Sequence, residues 1–220
     1  MSAYAKTDYF GLDGDGLKID ESTENKSASV ATANDSTGSV IASNVTDEHM
    51  SPSCNYVITG AVTKSLVIGS VTDDVMLGSV TINTTSGGQP TFSASGEQVE
   101  AGAATGCKYT ISLADLSPKW HAQTLFSMFT GGGTGCHLTA ANYTVGGTVG
   151  RAVASGECVA SDVYDGSITA QITITQSGTE KPTLTAGTGC DITAPLTCTT
   201  SGGEFPTWTA KITKYITKDA

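Results

Sequence analysis

The phrase Pro-Thr-(apolar)-(Ser/Thr)-Ala occurs three times, as Pro90-Thr91-Phe92-Ser93-Ala94, Pro182-Thr183-Leu184-Thr185-Ala186 and Pro206-Thr207-Trp208-Thr209-Ala210. Val80-Thr81-Ile82 and Ile172-Thr173-Ile174 each lead, through a Ser-Gly turn, to the proline ten residues after their first residue, so these two copies lie 92 residues apart. Ser201-Gly202-Gly203 precedes the third copy as Ser86-Gly87-Gly88 precedes the first. Proline is tolerated at the first position of a strand, where the hydrogen-bonded ladder has barely begun. Each copy therefore predicts a strand, a glycine turn and a proline-opened strand, and Pro90, Phe92, Pro182, Leu184, Pro206 and Trp208 mark a repeated hairpin. A repeated β-hairpin points to a scaffold.

The rest of the chain reads as short strands rich in Thr, Val and Ile, the residues a half-buried pleated surface favours. They are centred on Tyr56–Val62, Leu66–Ile68, Cys107–Leu113, Cys136–Val149, Ile168–Gln176, Asp191–Cys198 and Phe205–Ile216. In the last, Trp208, Ala210 and Ile212 alternate with Thr209, Lys211 and Thr213, the period-two pattern of a strand with one face in the core. One helix is predicted from Lys119 to Phe129, with Ser117-Pro118 as cap and first turn and Thr130-Gly131 as its stop. Trp120, Leu125, Phe126, Met128 and Phe129 give it a broad apolar face, expected to plug the open side of the sheets. Residues 1–48 read as a polar acidic arm, with Ser27–Ala33 and Ser39–Val45 flanking a turn at Asn34–Gly38 and too little apolar area to fold alone. The expected architecture is mainly β: an antiparallel β-sandwich or barrel with one short helix and an extended N-terminal arm. The body, residues 49–220, is expected to comprise two related halves, about 49–150 and 151–220.

Only 15% of the 220 residues are charged, while Ser and Thr number 58 and Gly 26. Polar but uncharged surface suits a protein whose outside is covered by neighbours, where each buried charge would need a partner. The net charge of −10 argues against a binder that grips phosphates through Lys and Arg clusters, the one such group being Lys211, Lys214 and Lys218 near the C-terminal end. Residues 1–48 carry nine acids and three bases. The N-terminus lacks the apolar stretch of a secretory signal, and no run is long enough to span a membrane. Synthesis in a cytoplasm, without membrane association, is expected.

No cofactor or metal is expected. Cys54, Cys107, Cys136, Cys158, Cys190 and Cys198 lack CxxC spacing, which argues against a zinc ribbon. Three share the context Thr-Gly-Cys, at Cys107, Cys136 and Cys190, and read as small buried residues at strand starts; whether any of the six pair as disulfides stays open. Cys136 and His137 are adjacent, but a catalytic thiol needs an oriented base and a third group, and none is identifiable. His121 and His49 read as surface or packed histidines. Asp13-Gly14-Asp15-Gly16 opens like a calcium loop, yet Leu17 stands where the next oxygen ligand would be, so a glycine turn is expected. Asp73-Asp74 and Asp162/Asp165 read as solvated loop carboxylates. No enzyme activity is expected.

A polar N-terminal arm, a Thr/Gly-rich β body, a duplicated hairpin and one Trp/Phe-bearing helix together resemble the tail tube (major tail) proteins of tailed bacteriophages, over residues from about Cys54 to Ile216. The resemblance implies a virion structural protein, assembled in a host cytoplasm, whose subunits form hexameric rings stacked into a tube. It implies partnership with copies of itself and with other tail proteins, and DNA as a cargo that passes an acidic bore without sticking. It also implies an N-terminal segment bridging to the next ring and a long hairpin lining the bore, for which Leu66–Thr85 is the candidate. Removing residues 1–46 is then expected to leave a folded monomer unable to polymerise. A capsid decoration or head-fibre protein is the alternative; a bacterial surface adhesin module is a further one, opposed by the missing signal.

Overall fold

The computed structural model describes residues 6–99, 104–105, 108–154 and 157–219. They form the strands β1 (Leu17–Asn34), β2 (Val40–Ile58), β3 (Ser65–Ile68), β4 (Val71–Thr72), β5 (Val75–Thr85), β6 (Thr91–Gln98) and β7 (Ala104–Thr105). There follow β8 (Tyr109–Ser112), β9 (Phe129–Gly132), β10 (Cys136–Ala154), β11 (Glu157–Gln176), β12 (Thr183–Ala186), β13 (Cys190–Thr199) and β14 (Thr207–Tyr215). The main sheet runs β1-β2-β6-β5-β10-β11-β14-β13, with β4 beside β5 and β7 beside β11, and two-stranded sheets β3-β8 and β9-β12 stand apart from it. All strands along that main path are antiparallel, and the fold is sandwich-like with no closed barrel. Inward residues of alternate phase, such as Tyr56 and Ile58, Val80 and Ile82, Tyr143 and Val145, Ile172 and Ile174, join Leu66, Ile68, Tyr109 and Ile111 of the small sheets in one core cluster.

The predicted helix is absent. Residues 117–128 run irregularly across the core, and Phe126 and Ser127 have φ of 60° and 49°, outside the helical region. The segment's backbone is satisfied by tertiary partners instead. The Tyr143 hydroxyl donates to the Gln123 carbonyl at 2.7 Å and accepts from the Leu125 N–H at 2.9 Å. The Gln123 N–H donates to Thr84 Oγ1 at 3.0 Å, and its side chain bonds the Ser117 carbonyl at 2.8 Å. Leu125, Met128 and Phe129 are buried, and Phe126 stacks edge-on to Tyr143 at 5.6 Å, but Trp120 is 64% exposed. The apolar side chains do close the core, without the helical period.

Two of the three proline phrases lie in hairpins. Pro90 precedes β6, paired with β5, and Pro206 precedes β14, paired with β13. Pro182 also opens a strand, β12, but that strand pairs with β9 and leaves β11 to β14. The equivalent copies are therefore the first and third.

That equivalence extends along most of the main sheet. Four strands in the order β1-β2-β6-β5 are followed by four in the order β10-β11-β14-β13, with the same pairings. Leu17, paired with Ile58, corresponds to Cys136, paired with Gln176, 119 residues on. The β1-β2 ladder slips at Ile19/Glu21, Ser27/Ser29 and Ala33/Asn34; the β10-β11 ladder slips 119 residues later at Leu138/Ala140, Gly146/Thr148 and Ala152/Val153. The bulge at Leu77/Ser79 returns at Ile192/Ala194. Bulges are specific features of a ladder, so four shared ones identify two copies of one four-stranded unit. Both copies begin with the same turn: the Leu17 N–H bonds the Gly14 carbonyl and the Cys136 N–H bonds the Gly133 carbonyl, each at 3.0 Å. Gly150 falls inside β10, and position 48 inside β2.

Candidate assembly surface

The two long hairpins, alike in register, differ in surroundings. Beyond Gly146 the β10-β11 hairpin folds over β5: Val163 is fully buried, Ser161 lies against Met76 with its Oγ 4.0 Å from the sulfur, and a Cβ on Gly78 would stand 2.9 Å from Val149. The β1-β2 hairpin instead projects. Val45, the counterpart of Val163, is 51% exposed, and Val30, paired with it, is 63% exposed. Val30 and Val45, directly opposite in the ladder, share one face, and Ile41, the unpaired residue at the Ala33/Asn34 bulge, is 66% exposed. At about 3.4 Å per residue, the part beyond Lys26 reaches roughly 30 Å. A lone two-stranded ribbon is marginal in water, and these apolar side chains add a reason for it to find a partner. The long hairpin expected over Leu66–Thr85 does not exist, because β3 pairs with β8 and Asp73-Asp74, both with positive φ, makes a tight turn between β4 and β5.

The arm's ends are well fixed. At the tip, Asp35 Oδ1 accepts from the N–H groups of Thr37 and Ser39 at 2.8 and 3.0 Å, while Gly38 takes φ of 86°. The Thr37 hydroxyl foremost, and then those N–H groups, hold the Asp35 carboxyl below its ordinary range. At the root, His49 meets Ser27 at 3.0 Å and Glu97 at 3.7 Å, and the Met50 N–H bonds Gln98. The depression there, about 520 Å³, is lined by Lys26, Ser27, Glu48, His49 and Gln98 and is open and polar.

Residues before β1 are not part of a detachable arm. Phe10 and Leu12 are buried in the core, as is Leu17 at the start of β1. Asp8 accepts from the Tyr56 hydroxyl at 2.6 Å and from the Asp13 N–H at 2.7 Å. Burial works to raise the Asp8 pKa, but these bonds and those from Leu12 and Phe10 outweigh it and leave the carboxyl below its usual value. Cutting at residue 46 would thus remove core and arm together, so a test of the arm must cut within residues 30–45.

Both margins of the main sheet are open. Among the described residues, β1 pairs only with β2, and β13 only with β14. Glu24 and Lys26 form an ion pair of 2.9 Å on β1 where β10 has the buried Tyr143 and Val145. Charge on an edge strand discourages indiscriminate pairing. On β13, Pro195 sits at the irregularity between Ala194 and Thr197, a usual place for proline in a sheet. Sequence reasoning passed over Val30, Ile41, Val45 and Ile192; a few aliphatics in polar surroundings, Ile41 beside Val40, were the available signal for them.

Elsewhere the sought chemistry does not converge. Cys136 is buried and His137 exposed, as neighbours on a strand must face opposite ways. The Cys136 thiol meets the Glu180 carbonyl at 3.4 Å. In the Asp13 loop the Lys64 ammonium bonds the carbonyls of Gly11 and Asp13, at 3.1 and 2.8 Å, and Asp13 Oδ1 accepts from the Ile19 N–H. Among the described residues no group of three or more His, Cys, Asp or Glu side chains could hold a metal, and Cys54, Cys136, Cys190 and Cys198 are free thiols. Compared with known proteins, the chain matches no protein-family model and no curated protein.

Proposed function

We propose that this chain is the repeating subunit of a self-assembling tube, the tail tube of a tailed-phage virion, whose rings, six-fold in their β units, stack and let DNA pass. The observation that carries the reading is the projecting β1-β2 arm, with Val30, Ile41 and Val45 exposed, while Val163 and Ser161 of the matching hairpin of the second unit are buried. On the outer face of β13 the places of Met76 and Gly78 are held by Asp191 and Thr193, both exposed. The arm's apolar face therefore has no apolar landing beside β13 in its own ring, which favours a landing on the next ring. Rings whose subunits continue one another's sheets leave no free margins, and a head-to-tail contact closes when its rotation closes. The net charge of −10 suits a bore that repels phosphates.

The test joins Ser29 to Thr46, which face each other in the ladder, through an Asn-Gly turn in place of residues 30–45. Asn-Gly suits the two-residue turn that such a junction requires. The variant is expected to keep its strand circular dichroism and a cooperative melt and to form rings that no longer stack, as read by negative-stain microscopy. Tubes of normal length from this variant would contradict the reading.

A further inference from the structure

We infer that two copies of this chain join by pairing β13 of one with β1 of the next, in the register of the internal β5-β10 junction, so that three chains complete a six-unit ring. The junction follows from the duplication; the number three also rests on the six-fold ring proposed above. Within one chain, unit one ends at β5 and unit two begins at β10, and these two strands pair antiparallel from Ser79↔Gly146 to Thr85↔Ala140. By the shared registers, β13 takes the place of β5 and β1 the place of β10. The main path has eight strands of alternating direction, so β13 and the β1 of a rotated copy meet antiparallel, and the alternation continues without a break.

The state of the two margins fits an absent neighbour. On β5 the inward row Val75, Leu77, Val80 and Ile82 is buried, with β10 alongside it. The corresponding row on β13 is Cys190, Ile192, Leu196 and Cys198; Ile192 is 41% exposed where Leu77 is 2% exposed, and Cys198 is exposed where Ile82 is fully buried. On the other margin Ser22, Glu24 and Lys26 are partly or fully exposed where Ala141, Tyr143 and Val145 are buried. Thus the inward faces of both margins lose cover at the positions a neighbour would fill. Mapping Ile82↔Tyr143 onto the open margins sets Cys198 directly opposite Glu24 of the next copy, and Thr197 opposite Asn25.

Opposed residues in an antiparallel ladder lie about 4.5–5.5 Å apart at Cα, within disulfide reach. The full chain carrying Glu24→Cys, assembled and then mildly oxidised, is expected to give reducible dimer and trimer bands on a denaturing gel, ending at three chains. The ladder should vanish when Cys198→Ser is added, and when the cysteine is placed out of register by Lys18→Cys instead of Glu24→Cys. Mass photometry of unstacked rings should read three times the 22.3 kDa chain mass. A ladder running to six, cross-linking indifferent to Cys198→Ser, or a chain that stays monomeric at every concentration would overturn the inference. Three-chain rings that never stack would leave the junction standing and count against the tube alone.

Discussion

Tyr143→Ala is expected to lower the stability of the fold by about 3–5 kcal/mol, the usual cost of emptying a large buried aromatic site. Tyr143 is fully buried in β10 and is the anchor of residues 117–128. Burial foremost pushes its hydroxyl pKa up to about 12, with the Leu125 N–H pulling the other way, so the group stays a neutral donor and acceptor across the physiological range. Tyr143→Phe separates the two contributions. It keeps the ring against Phe126 but strands the Gln123 carbonyl and the Leu125 N–H, each costing about 1–3 kcal/mol when left buried and unpaired. Urea unfolding measures both variants. If Tyr143→Phe is neutral, those bonds do not hold the segment, and its irregular path needs another cause.

Gly16→Ala and Gly135→Ala are expected to destabilise by similar amounts, about 2–4 kcal/mol each, since they occupy the same position in the two units. Gly16 has φ of 95° and a Cβ there would lie 2.5 Å from the Ala61 carbonyl oxygen; Gly135 has φ of 71° and its Cβ would lie 2.7 Å from Gly178 Cα and N. Left-handed backbone on a non-glycine residue costs about 1–3 kcal/mol, and crowding a packed site adds a similar amount. Both carbonyls also receive equivalent bonds, from the Thr59 N–H at 2.8 Å and the Ser177 N–H at 2.6 Å. Gly38→Ala is the control: φ is 86°, but nothing lies within 4 Å of the new Cβ, so only the backbone term remains. Equal losses at 16 and 135, with a smaller one at 38, match the duplication. A neutral Gly135→Ala would break the correspondence between the turns.

The β class, the proline-opened strands and the hairpin at the arm's tip were legible because each rests on local chemistry: alternation, proline at a strand start, and Asp-x-x-Gly in a turn. The true duplication was not. The copies of Pro-Thr-x-x-Ala that share an upstream frame, at Pro90 and Pro182, belong to different parts of the unit, while the structural match is between Pro90 and Pro206. What the two units keep is ladder register and bulge position, a backbone property that many side chains satisfy: Glu24 and Tyr143 are equivalent, as are Asp20 and Thr139. The residues that could have shown it are Gly14-Asp15-Gly16-Leu17-Lys18-Ile19 against Gly133-Thr134-Gly135-Cys136-His137-Leu138, where glycine recurs because the turn requires it. The helix failed for a related reason. Leu125, Phe126, Met128 and Phe129 are clustered, with polar Gln123 and Thr124 where a helical face from Trp120 would need apolar residues, and Tyr143 and Thr84 offered the backbone better partners.

The central claim is that the chain is built to be tiled through the two open margins of its sheet. Electron cryomicroscopy of the purified full-length protein, with symmetry determined from the images, tests it most directly. The account predicts closed rings of three chains, each ring showing six similar lobes, with β13 and β1 of neighbours joined in one continuous sheet. Particles that remain single chains with both margins bare, or rings joined through other surfaces, would contradict it.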